Sequence, residues 1–331
     1  MDFLDIVLNI LSSGLPCCLL ALGIFLTYRL LDFADLTAEG SFLIGAAVTG
    51  VMIYNGINPW IATFVSILAG GACGFITGAL NRYLKIPKLL SGIITMTATA
   101  SIAMIIMGFA NGEESFFKAQ VTFNTVYQGS TQTIYSLLTP WVFDAATDTM
   151  KAISPWNEII KVSMMALVVA VAVLIIYFFF GTEYGMSIRA TGMNERMARA
   201  QGINTNKATI VCVMISNALI GLAGALYVQE VKTVSTISAT GYLVVGLAAI
   251  LIGEAIFGKR TFKNWLISVC LGSICYFIII TLATRLGLPT QLKSLLYALL
   301  ITFALCLPMI KNWCTGFKRK KESNTVEKKG K

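Results

Sequence analysis

The polar segment with the clearest functional spacing is residues 185–207, which lies between two long apolar segments. Asn194 is a good helix N-cap and Gly202 suits the position after a helix end, so about two turns of helix are predicted between them. Met193 and Met197 are four residues apart and share one face of that helix. The remaining surface is charged, through Glu195, Arg196 and Arg199. An apolar knob with a charged rim suits docking into a groove on another protein. The alternative is an ordinary basic loop that only sets membrane orientation.

Three carboxylates follow the first apolar segment, at Asp32, Asp35 and Glu39. The next apolar segment, Ser41–Tyr54, would be only ~21 Å long as a helix, against a ~30 Å hydrocarbon core. Part of residues 32–40 is therefore predicted to enter the membrane as irregular backbone, which is tolerated where it lines a wet cavity. Carboxylates at such depth are usually functional. The alternative is a cytoplasmic loop followed by a longer helix.

A third polar stretch, residues 231–240, precedes Gly241 much as Thr37–Glu39 precedes Gly40. Each of these glycines begins a Gly-x-x-x-x-Gly segment, and the two segments run in opposite directions through the predicted membrane. This arrangement predicts an inverted-topology repeat whose interrupted helices line a transport pathway. The glycines would allow positive φ or close backbone approach. The candidate pathway residues are Asp35, Thr37, Glu39, Gly40, Thr240 and Gly241.

The residue types exclude several enzyme classes. The chain has no histidine, which rules out histidine-based catalysis and histidine-ligated metal sites. Its eight cysteines fall within or beside apolar segments, without a Cys-x-x-Cys metal pattern. There is no Gly-x-x-x-x-Gly-Lys-[Ser/Thr] phosphate-binding loop. The sequence therefore predicts no enzyme, no catalytic residues, no metal site and no cofactor bound by this chain.

Composition predicts an all-α polytopic membrane protein. Of 331 residues, 56% are hydrophobic and 12% charged, with a mean hydropathy of +0.78. The apolar segments approach the length needed to span a bilayer. We predict about nine spans with broken helices, at residues 4–28, 41–55, 59–81, 89–110, 159–180, 208–229, 241–257, 265–285 and 291–310.

Charge placement predicts the orientation of these spans. If residues 185–207 are cytoplasmic, alternation places 19 of the 25 lysines and arginines inside and 6 outside. That bias follows the positive-inside rule, with the N-terminus outside and the C-terminal tail inside. The net charge of +9 is therefore interpreted as a topology and lipid-surface signal. A nucleic-acid partner is not expected.

Small residues at helical spacing predict close packing between spans. Gly70, Gly74 and Gly78 lie on one face of the third span, and Asn217 and Gly221 on one face of the sixth. Separately, the carboxylate at position 254 stands near the inner end of its span, beside basic residues. We expect it to pair with a nearby cation.

Residues 187–204 resemble the coupling loop of ATP-binding cassette (ABC) importer permeases, of the branched-chain amino acid/ribose type. The family pattern is Arg-Ala-x-Gly-x-Asn-x-x-x-Ala-x-x-x-Gly-Ile-Asn, with matches at Arg189, Ala190, Gly192, Asn194, Ala198, Gly202, Ile203 and Asn204. The resemblance covers residues 4–310. The sequence of residues 31–42 is similar to that of a subgroup linked to aromatic amino acid uptake.

The resemblance implies a permease subunit of a binding-protein-dependent importer, moving an amino acid or similar small solute inward by alternating access. It implies two separate ABC ATPase subunits that bind ATP, an extracellular solute-binding protein, a second permease copy (favoured over a homologous partner), and membrane lipid. Residues 1–310 would form the permease domain and 311–331 a basic cytoplasmic tail. The extracellular connection, 111–158, would be a docking platform of short helices or a simple cap. The residues coupling to the ATPase would be Arg189, Gly192, Asn194, Glu195, Arg196, Met197, Arg199 and Gly202.

Three other functions compete with this interpretation. An ion-coupled secondary transporter of a small solute is the main alternative. Because spans three to six carry no central ionisable residue, proton coupling is disfavoured, whereas sodium coupling is not. A membrane enzyme would need clustered catalytic residues, and a structural scaffold would not explain the coupling-loop pattern.

Overall fold

A computed structural model gives the fold of most of the chain. It describes residues 3–109, 120–122, 133–135, 141–144, 149–152, 156–236, 240–285 and 302. The predicted ninth span, residues 291–310, and the predicted tail lie outside the described residues, apart from position 302. The described part of the chain is almost entirely helical, which confirms the predicted all-α class.

Eight of the described helices correspond to predicted spans. In chain order they are α1 (Phe3–Phe25), α2 (Thr37–Tyr54), α3 (Pro59–Arg82), α4 (Lys88–Gly108), α5 (Trp156–Gly181), α8 (Thr205–Val231), α9 (Tyr242–Phe257) and α10 (Phe262–Arg285). The other two, α6 (Glu183–Met193) and α7 (Glu195–Ala200), are short and lie between α5 and α8. Within the described ranges, seven helices are long and apolar enough to cross a membrane, while α9 is apolar but has 16 residues.

The chain between α1 and α2 is broken, as predicted, but the break is shorter than expected. A π-helical turn, Leu26–Leu30, continues α1, and residues 31–36 are irregular. Helix α2 then begins at Thr37, so the expectation of irregular backbone up to Gly40 is corrected. With 18 residues α2 is ~27 Å long, close to the thickness of a hydrocarbon core.

Helix α8 is the centre of the bundle, packed against α2 and α3 on one side and α1 on the other. The packing is close because small residues face each other. A Cβ on Gly70 would meet the backbone carbonyl of Asn217, and one on Gly45 would meet that of Gly221. The predicted role of these small residues in helix packing is confirmed.

The described parts of the connection between α4 and α5 include short strands, while most of residues 111–158, for which a platform of short helices or a simple cap is predicted, lie outside the described residues. Strand β1 (Gln120–Thr122) pairs antiparallel with β4 (Thr233–Ser235), and β2 (Trp141–Asp144) pairs antiparallel with β3 (Thr149–Ala152). In this connection, only residues 134 and 135 are helical among those described before α5 begins. The β1–β4 pair ties the connection to the segment that leads into α9.

Candidate functional site

The predicted coupling segment folds as two short helices with the expected caps. Asn194 separates α6 from α7, and its side-chain oxygen accepts a hydrogen bond from the Met197 N–H at 3.1 Å. Gly202 follows α7 with a φ of +83°, the left-handed conformation that glycine adopts without strain. Asn204 then caps α8 by accepting from the Lys207 N–H at 3.1 Å. The helix boundaries predicted from Asn194 and Gly202 are confirmed.

An open apolar surface is formed by the end of α6 and by α7. Met193 is the last residue of α6 and is 89% exposed, whereas Met197 lies on α7 and is 58% exposed, so the prediction that the two share one helix is wrong: the extended backbone of Asn194 separates them. Arg196 on α7 is also exposed. Ala198 on the opposite face is buried. The described chain thus has an apolar knob with an adjacent positive charge, facing away from its own bundle.

The other charged residues of α7 hold it to the bundle. The Glu195 carboxylate accepts from the Arg82 guanidinium at the end of α3 at 2.6 Å and from Arg199 at 2.7 Å. Arg82 also donates to the Thr209 hydroxyl at 2.6 Å, and Arg199 donates to Thr205 at 2.8 Å. Burial raises the pKa of Glu195, but the hydrogen bond and charge of Arg82, followed by those of Arg199, outweigh it and lower this pKa below its ordinary value.

Two further residues of the coupling pattern contact transmembrane elements. The Arg189 guanidinium lies 4.9 Å from the centroid of the Phe262 ring at the start of α10. Gly192, near the end of α6, approaches the Leu30 carbonyl so closely that an added Cβ would clash with it. Helix α6 therefore rests directly on the π-helical turn that precedes the irregular segment.

That π-helical turn is also joined to α9. Arg29 donates to one Glu254 oxygen at 2.6 Å, and the Trp265 indole N–H donates to the other at 2.8 Å. The expectation that Glu254 pairs with a cation is confirmed. On the neighbouring side, the Lys88 ammonium donates to the Asp32 backbone carbonyl at 2.8 Å.

Asp35 and Thr37 are buried in polar packing between helices. The Asp35 carboxylate accepts from the Asn217 side-chain amide at 2.7 Å and from the Thr37 N–H at 2.9 Å. The Thr37 hydroxyl lies 2.7 Å from that of Thr77 on α3. Because Asn217 is twelve residues beyond Thr205 on α8, Asp35 lies ~18 Å along that helix, near the depth of a membrane midplane.

Glu39 joins the two interrupted elements directly. One oxygen of its carboxylate accepts a hydrogen bond from the Gly241 backbone N–H at 3.0 Å. Gly241 has a φ of +93° and precedes the first residue of α9, so its special conformation is at the helix start as predicted. Gly40, by contrast, is inside α2, where an added Cβ would clash with the Thr99 hydroxyl of α4.

A cavity of about 270 Å³ lies beside the Glu39 carboxylate. Of the six candidate pathway residues, the structure brings Glu39, Gly40 and Thr240 together in its wall; Gly241 adjoins it, and Asp35 and Thr37 do not line it. The rest of the wall is formed by Leu43, Met96, Ala100 and Thr236. Sequence reasoning missed Met96 and Ala100, whose spacing of four on an apolar helix gives no signal of a cavity.

A bundle of membrane-length helices, with a cavity beside the Glu39 carboxylate and an exposed apolar surface at α7, is the architecture of a polytopic membrane protein. Residues 6–305 match the family described as the branched-chain amino acid transport system / permease component. The chain belongs to this family of ABC importer permeases, and it is a transport subunit rather than an enzyme.

Several relatives support this assignment. The chain is 31% identical over 298 residues to a tyrosine transport system permease protein of Clostridioides difficile, covering 90% of each chain. It is 29% identical to a probable branched-chain amino acid transport permease protein, LivH, of Methanocaldococcus jannaschii, covering 69% of this chain and 66% of the relative. It is 25% identical to the guanosine ABC transporter permease protein NupQ of Bacillus subtilis, covering 77% and 78%. No solved structure matches this chain.

Proposed function

We propose that this chain is the permease of an amino acid importer, in which separate ATPase subunits dock on α7 and drive alternating access. The observation that carries this proposal is the geometry of the coupling segment. Its methionine knob faces outward, while the preceding helix α6 rests on the π-helical turn through Gly192 and Leu30. A push on α7 would therefore reach the irregular segment and the start of α2, where the cavity lies.

An amino acid is the substrate class best supported. The relative that covers 90% of both chains is named for tyrosine transport, and the family description names branched-chain amino acids. Other relatives are named for guanosine and for fructose, so membership of the family leaves the solute open. Within the amino acids, the subgroup resemblance at residues 31–42 favours an aromatic one.

The partners follow from the same proposal. Two ABC ATPase subunits would bind ATP. An extracellular solute-binding protein would deliver the solute to the end of the bundle at which the β1–β4 pair lies. A second copy of this chain, rather than a different homologue, would complete the pathway. The N-terminus would lie outside the cell membrane and the C-terminus in the cytoplasm, as the lysine and arginine distribution indicates.

An ion-coupled secondary transporter remains the second candidate, because two carboxylates lie at membrane depth. Among the described residues, no lysine or arginine is within ion-pair distance of Asp35 or Glu39. Such groups suit a coupling cation. Uptake that persists without ATPase subunits but requires a sodium gradient would favour this candidate over the importer.

The decisive test is a charge on the docking knob. Met197→Glu should leave membrane insertion intact, because this side chain is 58% exposed, but it should abolish co-purification of the ATPase subunits and uptake. Met197→Leu, which keeps an apolar side chain, is the matched control and should retain both. Arg196→Glu should have a milder effect, since a rim charge contributes less than an apolar anchor. Full ATPase association by Met197→Glu would refute docking at α7.

A further inference from the structure

We infer that Glu39 makes the membrane cavity selective for solutes that carry an ammonium group. The inference rests on the proposed function in that it names the substrate class of the same pathway. It concerns the permease itself, whereas selection by a solute-binding protein would occur before the solute reaches this cavity.

The first support is the electrostatic setting of Glu39. Its carboxylate is half-buried and reaches the cavity, and it accepts a hydrogen bond from the uncharged Gly241 N–H. No arginine or lysine in the described part of the chain is within ion-pair distance of it. A half-buried carboxylate interacts more strongly with a nearby opposite charge than a carboxylate in bulk water does, because its surroundings are less polar.

The second support is that the carboxylate is held in place. Tyr242, the residue after Gly241, stacks on Phe42 of α2 with ring centroids 4.4 Å apart. Phe42 also lies 5.5 Å from the ring of Tyr227 on α8. This aromatic cluster packs the start of α9 against α2. The Gly241 N–H, a backbone group, is therefore held within hydrogen-bonding distance of the Glu39 carboxylate.

The third support is the chemistry of the remaining cavity wall. Thr236 and Thr240 contribute hydroxyl groups, while Leu43, Met96 and Ala100 contribute apolar surface. A few placed polar groups in an apolar wall are typical of small-solute sites. Among the described residues of this wall, Glu39 is the only charged side chain, so the cavity would favour an ammonium and disfavour an anion.

The experiment measures charge selection with probes that do not depend on the natural solute. Thr240 is exposed at the cavity, and a cysteine there would be modified by methanethiosulfonate reagents of similar size, one cationic and one anionic. Each rate is divided by the rate of the same reagent with a free thiol. The reactions use the full chain in membranes, and the chain without Thr240→Cys supplies the background from the eight native cysteines.

The key comparison combines Thr240→Cys with Glu39→Gln. Glutamine keeps an oxygen that can accept from Gly241, so the substitution removes the charge while keeping the contact. The parent should prefer the cationic reagent by about tenfold, and Glu39→Gln should lower this preference to near unity. Glu158→Gln, which removes a charge at the start of α5 away from the cavity, should leave it unchanged. A preference that survives Glu39→Gln, or a cysteine that reacts with neither reagent, would overturn the inference.

A second arm separates this inference from the proposed function. Uptake of L-tyrosine is measured in vesicles containing the permease, its ATPase subunits and its solute-binding protein. If tyrosine enters, Glu39→Gln should reduce uptake at least tenfold and Glu39→Asp should restore part of it. If tyrosine does not enter but the reagent preference depends on Glu39, the choice of tyrosine as solute is wrong while the charge selection stands.

Discussion

At the scale of single residues, Arg82 holds α7 against the rest of the bundle. Its guanidinium donates at 2.6 Å both to Glu195 at the start of α7 and to Thr209 on α8, and its side chain is only 11% exposed. Planar guanidinium groups suit such forked bonding, whereas a lysine offers a single point charge. Glu195 and Arg199 thus stabilise the position of α7, while Arg196 and Met197 are exposed, as the proposed docking requires.

Replacing Arg82 by Lys should loosen α7 without unfolding the bundle. We expect a loss of about 1–2 kcal/mol of local stability, because one of the two fork contacts is lost. Limited trypsin digestion should then cut after Arg196 or Arg199 at least several-fold faster than in the parent protein. Lys85→Arg, at an exposed position in the adjoining loop, is the control. Equal cleavage rates in the Arg82→Lys and parent proteins would contradict the anchoring role.

The same contact predicts a pH dependence. The pKa of Glu195 is below its ordinary value of about 4.3 in the folded protein, so the carboxylate is ionised and bonded at neutral pH. The free energy that this ionised carboxylate contributes to holding α7 against the bundle is fully present above the ordinary pKa. It is lost as the pH falls through the lowered pKa. Because trypsin cleavage is slow in acid, detachment of α7 is followed by amide hydrogen exchange. The α7 amides should keep their protection between pH 7 and pH 5. Release within that range would contradict the contact.

The local features of this site could be predicted from sequence, and the distant contacts could not. Asn194 and Gly202 reveal a short helix because capping depends on neighbouring residues. The bond between Arg82 and Glu195 joins residues 113 apart, and only the packing of α3 against α8 brings them together. Likewise, the sequence marks Asp35 as unusual because it predicts a carboxylate at membrane depth, but it assigns Asn217 only a packing role. The hydrogen bond between them could therefore not be predicted.

At the scale of elements, the contact between α6 and the π-helical turn is where, in the proposed mechanism, motion of α7 would pass towards the cavity. Gly192 meets the Leu30 carbonyl, and the chain enters α2 at Thr37, seven residues after Leu30. The π-helical turn is further held by the pair between Arg29 and Glu254. The inner end of α1 is thus linked to both the docking segment and α9.

A methyl group at Gly192 should break this connection. Gly192→Ala would force α6 away from Leu30, since the obstructing atom belongs to the backbone and cannot rotate aside. We expect uptake to fall at least tenfold while membrane insertion and ATPase association persist. Gly181→Ala is the matched control, because a Cβ there meets nothing within 4 Å. Normal ATP-driven uptake by Gly192→Ala would show that α6 does not transmit the motion.

The start of α2 shows where sequence reasoning about elements fails. The apolar pattern begins at Ser41, but the helix begins at Thr37. Hydropathy does not register a polar first turn: Glu39 interrupts the apolar run, yet it lies inside α2, where its carboxylate accepts a hydrogen bond from the Gly241 N–H. Gly40 was expected at a helix start for its freedom of φ, whereas its role is to let α2 approach Thr99.

At the scale of the whole molecule, the predicted orientation is open to a direct test. The described helices and the predicted ninth span place the N-terminus and the C-terminal tail on opposite sides of the membrane. A reporter that is active only in the cytoplasm should be active when fused after Lys331, and its periplasmic or extracellular counterpart should be inactive there. Fusions after Gly112 should show the reverse. Activity of the outward reporter after Lys331 would refute the N-outside orientation.

The outward face of α4 indicates where a second copy would bind. Both α4 and α5 expose large apolar side chains, such as Ile102 on α4 and Leu167 on α5, as suits contact with lipid. Near the middle of α4, Thr97 and Ser101 are exposed as well, and both hydroxyls turn back to backbone carbonyls of their own helix. Small residues of this kind permit close approach of another transmembrane helix. Because Met96 and Ala100 of α4 also line the cavity, a partner on this face would lie beside the pathway.

Cysteine cross-linking should therefore distinguish the two faces. A cysteine at Ser101, in a background lacking the native cysteines, should form a dimer of twice the monomer mass under mild oxidation in membranes. A cysteine at Leu167, equally exposed but on the lipid face of α5, should not. Correct insertion of each variant is verified first by its association with the ATPase subunits, which depends on α7 rather than on either face. Ser101→Trp should lower the dimer fraction at least several-fold and reduce uptake, because a large side chain prevents close approach. Cross-linking at Leu167 but not at Ser101 would move the interface to α5, and the cavity would then belong to a single chain.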